Sequence, residues 1–364
     1  MLPFLRNLYL GSVLILATVA GAAEHPASPY LEHQDLSYYL DAAGARHPIK
    51  TTADWEIRRK HVLAGMEAVM GPLPGPEMRV PLDVKVEEEV RVGDLVRRKI
   101  TYRTHPRQRV AAYLFLPPLE PGKKAPAMLC LHPTGELGKG IAAAIGGKPH
   151  RQYALELAQR GYVTLAPDYP TFGDYACEFD PKDGFQSGTM RAIWDNIRSV
   201  DLLQSLEQVD GSRIGAIGHS LGGHNAMFTA VFEPRIQAIV SSCGFTRFHK
   251  YYEGNLTGWT SPRYMPRIAT VYDKNPDRMP FDFPEVVAAL APRPFFTNSP
   301  LHDGNFEVSG VRDSIAAARP IFALYGQPDH LQAVHPDSEH DFPDEPRMQS
   351  YAFLDRHLKA AVQK

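Results

Sequence analysis

Residues 213–224 read Arg213-Ile214-Gly215-Ala216-Ile217-Gly218-His219-Ser220-Leu221-Gly222-Gly223-His224. A short apolar run, the mark of a strand, ends in Gly-His-Ser-Leu-Gly, and residues 225–232 follow at once with a helix-compatible composition. This is the G-x-S-x-G pattern in the strand-then-helix context that gives it chemical meaning. A serine at the tip of so tight a turn is held in a strained backbone conformation. Side chains two residues to either side would collide there, and Gly218 and Gly222 carry none. The turn lifts the Ser220 hydroxyl clear of the sheet and sets the Leu221 N–H beside it, at the start of the helix. The bland alternative is a glycine-rich turn with a capping serine.

Outward from this stretch the chain alternates strand and helix. Upstream, residues 127–131 (Ala-Met-Leu-Cys-Leu) form a continuous apolar run, as in a strand buried on both faces. Residues 151–160 read as a helix, 162–166 as a strand, and 187–206 as a helix with Ile193, Ile197, Val200 and Leu203 on one face. Downstream come a strand at 236–242, a helix at 286–290, a strand at 294–298 and a helical region from 308 to about 325, interrupted at Pro320. A strand at 331–334 and a closing helix at 347–362 end the series. Alternation of this kind implies an α/β architecture, a mainly parallel twisted sheet with helices on both faces. Ahead of it, residues 84–87 and 95–102 alternate about a Gly93-Asp94 turn, and 110–116 form a third strand. Residues 23–78 read as a helical extension packed across the main domain of 79–364. A helix starts near Thr52-Ala53-Asp54, with Trp55, Ile57, Val62, Met66 and Val69 at helical spacing. Residues 244–283 form an aromatic and proline-rich insertion.

The 364 residues carry 39 Lys and Arg against 41 Asp and Glu, which gives no electrostatic case for nucleic acid or an anionic membrane. Arg6, the uncharged apolar run 8–20 and Ala20-Gly21-Ala22 read as a signal peptide over residues 1–22, placing the mature protein in a periplasm or outside the cell. Three cysteines make no disulfide framework, and no zinc-binding pattern is present, so neither a metal nor a cofactor is expected. Asn255-Leu256-Thr257 matches a glycosylation sequon and reads as a chance match.

A serine hydroxyl needs a base to take its proton and an acid to orient that base. With a Gly-x-Ser-x-Gly turn the order along the chain is Ser, acid, His. Among downstream histidines His340 lies in a polar loop between the last strand and last helix, whereas His330 and His335 fall in or beside the strand. For the acid, Asp303 follows the strand at 294–298 and leaves room for a helix before His340. Asp329 is too close for that, and Asp341 adjoins the histidine it would have to brace. Leu221 N–H is one expected oxyanion donor. The second comes from the loop His132-Pro133-Thr134-Gly135, where Pro133 has no N–H and Thr134 is the choice over Gly135. His132 and His219 border the site, either to meet substrate or to hold a loop. Tyr252 and Trp259, with Tyr251 and Tyr264, suit a substrate platform or lid, or ordinary packing of the insertion. Arg263 and Arg267 suit a carboxylate or simple solvation.

With these residues assembled the chain resembles the α/β-hydrolases, nearest to the bacterial dienelactone hydrolase and acetyl-xylan-esterase-like group. The resemblance rests on Leu131-His132-Pro133-Thr134, Ala166-Pro167-Asp168-Tyr169-Pro170, the Gly218 to Gly223 turn and Glu339-His340-Asp341-Phe342, and covers about residues 50–362. It implies the α/β-hydrolase fold and a secreted serine esterase acting on acetyl, methyl or phenolic esters of polysaccharides or related small esters. Dienelactone hydrolases use a cysteine nucleophile where Ser220 stands, which weighs against lactone chemistry. Glucuronoyl esterases carry an arginine directly after the serine where Leu221 stands, which argues against that activity. Two alternatives remain: a prolyl-oligopeptidase-type peptidase, against which the want of a preceding propeller weighs, and a non-catalytic carbohydrate-binding protein.

Overall fold

The computed structural model describes residues 30–179 and 181–359. The signal peptide expected at residues 1–22 lies outside them, as do the last residues of the expected closing helix. Among the described residues no helix is long and apolar enough to cross a membrane.

A two-strand ribbon, β1 (Tyr38–Leu40) and β2 (Arg46–Pro48), precedes α1 (Thr52–Met70). A nine-stranded sheet follows, made of β3 (Lys85–Val92), β4 (Leu95–His105), β5 (Gln108–Leu116), β6 (Ala125–Leu131), β7 (Val163–Pro167), β8 (Val209–His219), β9 (Ile236–Ser242), β10 (Phe295–Asn298) and β11 (Leu331–Val334), in the order β11-β10-β9-β8-β6-β7-β5-β4-β3. Strands β6 to β11 run parallel; β3, β4 and β5 pair antiparallel at one edge. Between β6 and β8 the chain departs in opposite directions across the sheet, so the loops after these two strands part and leave a crevice at their carboxyl ends.

The parallel strands alternate faces as buried strands must. Ala127, Leu129 and Leu131 enter one core with Ile214 and Ala216, while Met128 and Cys130 enter the other with Ile217. The first core lies under α1, α4 (Gly188–Ser205), α5 (Leu221–Phe232), α7 (Phe283–Ala288) and α8 (Val308–Leu324). The second lies under α3 (Tyr153–Gln159) and α9 (Asp344–Leu358). Two short helices, α2 (Lys139–Ala142) and α6 (Arg267–Thr270), sit in the loop after β6 and in the insertion.

Two sequence expectations are corrected. Ile57 is exposed, because it lies two residues (about 200°) from Trp55 around the helix. The buried place one turn on is taken by Arg58. The helix expected to break at Pro320 is continuous, since Ala316 and Pro320 both face solvent and water can satisfy the carbonyl that proline leaves without a donor. The 244–283 segment is built mainly of 3-10 turns whose Phe248, Leu256, Met265, Ile268, Met279 and Phe281 enter the first core.

The N-terminal segment is tied down by charge as well as apolar contact. Thr51 and Asp54 form a capping box at the start of α1. Fully buried Arg58 donates to Glu285 Oε1 (2.5 Å) and to the Tyr38 carbonyl (3.1 Å), with its guanidinium 3.2 Å from the Tyr30 ring centroid. His33 meets the other Glu285 oxygen at 2.8 Å. Burial by itself pulls the His33 pKa down, but the charge and hydrogen bond of Glu285 outweigh it and leave it raised. Removing one member of such a network strands the others without compensation, so Glu285→Gln is expected to cost about 3 kcal/mol or more in urea denaturation. Because folding raises the His33 pKa, its proton stabilises the fold fully below an unfolded-state value of about 6.5, and the contribution drains away as pH climbs through the folded value. The stability gap between wild type and His33→Gln is therefore expected to narrow from about pH 6.5 upward; a gap that widens with pH would refute the charged pair.

Candidate active site

The turn after β8 has the geometry its glycines imply. Ser220 sits at φ 55°, ψ −120°, as N-cap of α5. Its strain, of order 1–3 kcal/mol, is held by the Ser220 N–H bond to the Ser242 carbonyl (2.8 Å) and the His224 N–H bond to the Ser220 carbonyl (3.0 Å). A Cβ on Gly218 would strike the backbone of Gly222, and one on Gly222 would strike the Leu131 carbonyl oxygen. Hence the helix can start only where two strands and a turn meet without side chains. Leu221 is the first residue of α5 and is buried with Tyr169, Phe172 and Ala192.

The downstream loops bring the expected acid and base together. Asp303 follows β10, and its fully buried side chain meets His340 Nδ1 with both oxygens at 2.9 Å. It also accepts from the Asn305 (2.8 Å) and Phe306 (3.0 Å) amides. Burial alone would raise its pKa, but these bonds and the His340 charge hold it below the ordinary carboxylate value. With Nδ1 engaged, Nε2 is the nitrogen left to serve a serine. The His340 ring lies 5.0 Å from that of His219, the immediate neighbour of Ser220. The competitors are occupied elsewhere: His330 Nδ1 bonds the Pro292 carbonyl and His335 Nδ1 the Ser299 carbonyl. Asp329 is exposed in a 3-10 turn. Asp341 faces away from the ring into a pair with Arg151 and His150. Burial works against its charge, yet the Arg151 bond leads the groups that hold its pKa down to about 2.

On the other side of the crevice Thr134 is exposed in the loop after β6, its hydroxyl 3.4 Å from Tyr264 Oη. This loop is clamped from below. Lys139, almost fully buried, donates from Nζ to Asp168 and Asp174 (2.7 Å each), and its N–H reaches Asp168 Oδ1 at 2.7 Å. A Cβ on Gly138 or Gly173 would run into the Asp168 carboxylate. The sequence reading did not single out this clamp; the available signal was an aspartate at the end of a buried strand, in Pro167-Asp168.

Two candidate contact residues are taken up by the scaffold. Buried His132 bonds the Pro133 carbonyl through Nδ1 (2.7 Å) and accepts the Tyr169 N–H at Nε2 (2.9 Å), leaving no ring nitrogen for a substrate. His219 Nδ1 pairs with Ser242 Oγ at 2.9 Å, and Ser242 Oγ also accepts from Asn298 Nδ2 at 2.8 Å. Burial, then the charge of Arg151, place the His219 pKa well below its usual range. Asn298 Nδ2 donates further to the Asp341 carbonyl (2.9 Å) and so joins the base loop to the turn. Behind the acid stands Cys243, whose thiol is within 4.8 Å of an Asp303 oxygen and a His340 nitrogen. Burial, then Asp303, raise its pKa well above normal, so a neutral thiol backs the pair.

The wall above is aromatic. Trp259 packs on His224 (4.6 Å between ring centroids), Tyr251 (5.3 Å) and Phe306 (6.1 Å), and Phe306 lies 5.9 Å from His340. Trp259 is buried and its indole N–H has no partner among the described residues, whereas Tyr252 is exposed and donates to Asn305. His224 is fully enclosed, both ring nitrogens without partners among the described residues, and burial lowers its pKa to about 3.

Residues 149–364, more than half of the chain, match the model of the prolyl oligopeptidase family. A hydrolase-named protein of Bacillus subtilis (strain 168), YtaP, is 27% identical over 262 residues, covering 69% of this chain and 84% of the relative. Among solved structures, a glucuronoyl esterase from Solibacter usitatus superposes with a TM-score of 0.69 at 20% identity, covering 87% of this chain and 96% of that one. Acetyl xylan esterase 1 from Thermoanaerobacterium sp. JW/SL YS485 gives 0.53 at 17% identity, covering 81% and 92%. At these identities the likeness establishes the fold, that of the α/β-hydrolases.

The clash at Gly222 makes a sharp test of the turn. Gly222→Ala is expected to cost about 3 kcal/mol or more, read as a lowered midpoint in chemical denaturation. A midpoint within about 0.5 kcal/mol of wild type would mean that the turn does not need this contact.

Proposed function

The chain belongs to the prolyl oligopeptidase family, and from that membership and the geometry of the crevice we propose that it is a serine carboxylester hydrolase. The observation that carries the reading is the two-oxygen pairing of buried Asp303 with His340, beside a serine held on a strained turn. In the proposed reaction Ser220 Oγ attacks the ester carbonyl carbon as His340 Nε2 takes its proton. Asp303 fixes the ring tautomer and offsets the imidazolium charge. The carbonyl oxygen, now anionic, accepts from the N–H groups of Leu221 and Thr134. Collapse of the tetrahedral species breaks the bond to the alcohol, which leaves with the proton from His340. Water, deprotonated by the same nitrogen, then releases the acid and restores Ser220.

The substrate class follows from two supports. The similar solved structures are named for glucuronoyl and acetyl xylan ester cleavage, and beside His340 lies an aromatic cluster of buried Phe306 and Trp259 with half-buried Tyr251, carried to the surface by exposed Tyr252, a side chain of the kind on which a sugar or phenolic ring packs. Acetyl, methyl or phenolic esters on carbohydrate are therefore the proposed substrates, met outside the cytoplasm if residues 1–22 direct export. Leu221, standing where glucuronoyl esterases carry an arginine, weighs for acetyl and methyl esters. The family's own description favours a second reading, a peptidase using the same three residues.

A fluorophosphonate is expected to label wild type at Ser220 and to leave Ser220→Ala unlabelled; a folded wild type that takes no label would point to a binding protein. Asp303→Asn is expected to lower kcat on a responsive ester by about three to four orders of magnitude, with far-ultraviolet dichroism unchanged. Cleavage of a prolyl peptide amide faster than any acetyl, methyl or feruloyl ester would replace the esterase reading with the peptidase one.

A further inference from the structure

The insertion carries Ser261-Pro262-Arg263-Tyr264 to the rim of the crevice, and the start of α4 holds it there. The first amides of a helix have no partner within it. Here Gly188 N–H bonds the Pro262 carbonyl (2.9 Å) and Thr189 N–H the Tyr264 carbonyl (3.2 Å), while Ser187 Oγ caps Met190 N–H (3.0 Å). Tyr169 Oη donates to the carbonyl between them, that of Arg263, at 2.8 Å. A Cβ on Gly188 would collide with that same carbonyl, so the approach depends on glycine. Three successive carbonyls are thus pinned, and the Arg263 side chain leaves a rigid base.

Its guanidinium is pre-set as well. Nε donates to Thr171 Oγ1 at 2.6 Å, and Cζ stands 4.3 Å from the Phe172 ring centroid. Phe172 shares a small apolar cluster with Leu221 and Tyr169, against which Tyr264 packs, and Tyr264 reaches the Thr134 hydroxyl. Arg263 therefore stacks on a member of the cluster that holds Leu221 and adjoins in sequence the tyrosine beside Thr134, on the side of the crevice that carries the two proposed oxyanion donors. Among the described residues no carboxylate pairs with it, and neither terminal nitrogen has a hydrogen-bond acceptor. That differs from Arg58, Arg151, Arg191, Arg198, Arg235 and Arg347, which all meet acids. A stacked guanidinium with its fork unoccupied suits a planar oxyanion in two-point contact.

We infer that Arg263 is an anion anchor: the substrate carries a carboxylate near the scissile ester, and Arg263 selects for it. The reaction to which this selection applies rests on the esterase reading above, but the binding does not. A purely packing role for Arg263 would affect neutral and anionic ligands alike, and that separates the two explanations.

Two matched pairs test the inference in the full chain: monomethyl succinate against methyl butyrate, with the charge in the acyl part, and 4-acetoxybenzoate against phenyl acetate, with the charge in the alcohol. Arg263→Met is expected to lower kcat/KM for the anionic member of at least one pair about tenfold or more, relative to its neutral partner. Arg263→Lys, a point charge without the fork, is expected to recover part of that loss. In parallel, calorimetry on Ser220→Ala protein measures binding of the same two anions with and without Arg263→Met, independently of turnover. Anion binding weakened by Arg263→Met, with no ester turned over by wild type, would reject the esterase reading and keep the anchor. Turnover ratios within about twofold in both pairs, with anion binding unchanged, would overturn the anchor and leave the esterase reading standing.

Discussion

Everything in the crevice depends on a close approach that tolerates no side chain. The β8 strand must stop, reverse and enter α5 within two residues while lying against the Leu131 carbonyl of β6, and Gly218 and Gly222 make room for it. Ser220 absorbs the angular cost at φ 55°. Neighbouring strands supply the restoring contacts: the Ser242 carbonyl of β9 takes the Ser220 N–H, and the Asn298 carbonyl of β10 takes that of Cys243, itself at φ 49°. Adjacent strand ends thus hold one another in conformations that none would adopt alone, which is how strain persists at a site.

Around that core of backbone geometry, buried polar groups set the loops. The Lys139–Asp168–Asp174 cluster fixes the loop carrying Thr134, Arg151–Asp341 fixes the loop carrying His340, and Asn298 joins the latter to Ser242 and His219. A buried pair of charges is a weak source of stability against apolar residues of equal volume. Its value here is positional: buried Lys139 and Arg151 each need an acid beside them, and that acid fixes where the loop can lie. The same logic anchors α1 through Arg58, Glu285 and His33, far from the crevice.

The insertion is both wall and core. Its apolar residues, buried Trp259 among them, complete the interior, so half-buried Tyr264 beside Thr134 stands on a packed base and has little freedom to wander. Rigid aromatic surface of this kind lowers the entropy lost on binding a ring. The insertion's shape is not dictated by the strand and helix pattern, which makes it a natural place for specificity to reside.

The sequence alone determined the α/β alternation and the turn at Ser220, and it singled out Asp303 and His340 as the candidate acid and base, because each is written in local periodicity or in a spacing the topology demands. It left undecided what His132 and His219 do, since a histidine beside a site looks the same whether its nitrogens face substrate or a carbonyl, amide or hydroxyl of the scaffold. It misplaced Ile57 because apolar identity outweighed angular position, and it broke α8 at Pro320 because solvent exposure of Ala316 is not a local property. Only the tertiary structure brought Arg263 to the rim with no carboxylate partner among the described residues, and set Lys139 under Asp168. Those contacts join residues 92 and 29 positions apart along the chain, and no periodicity records which distant carbonyl or carboxylate a side chain will meet.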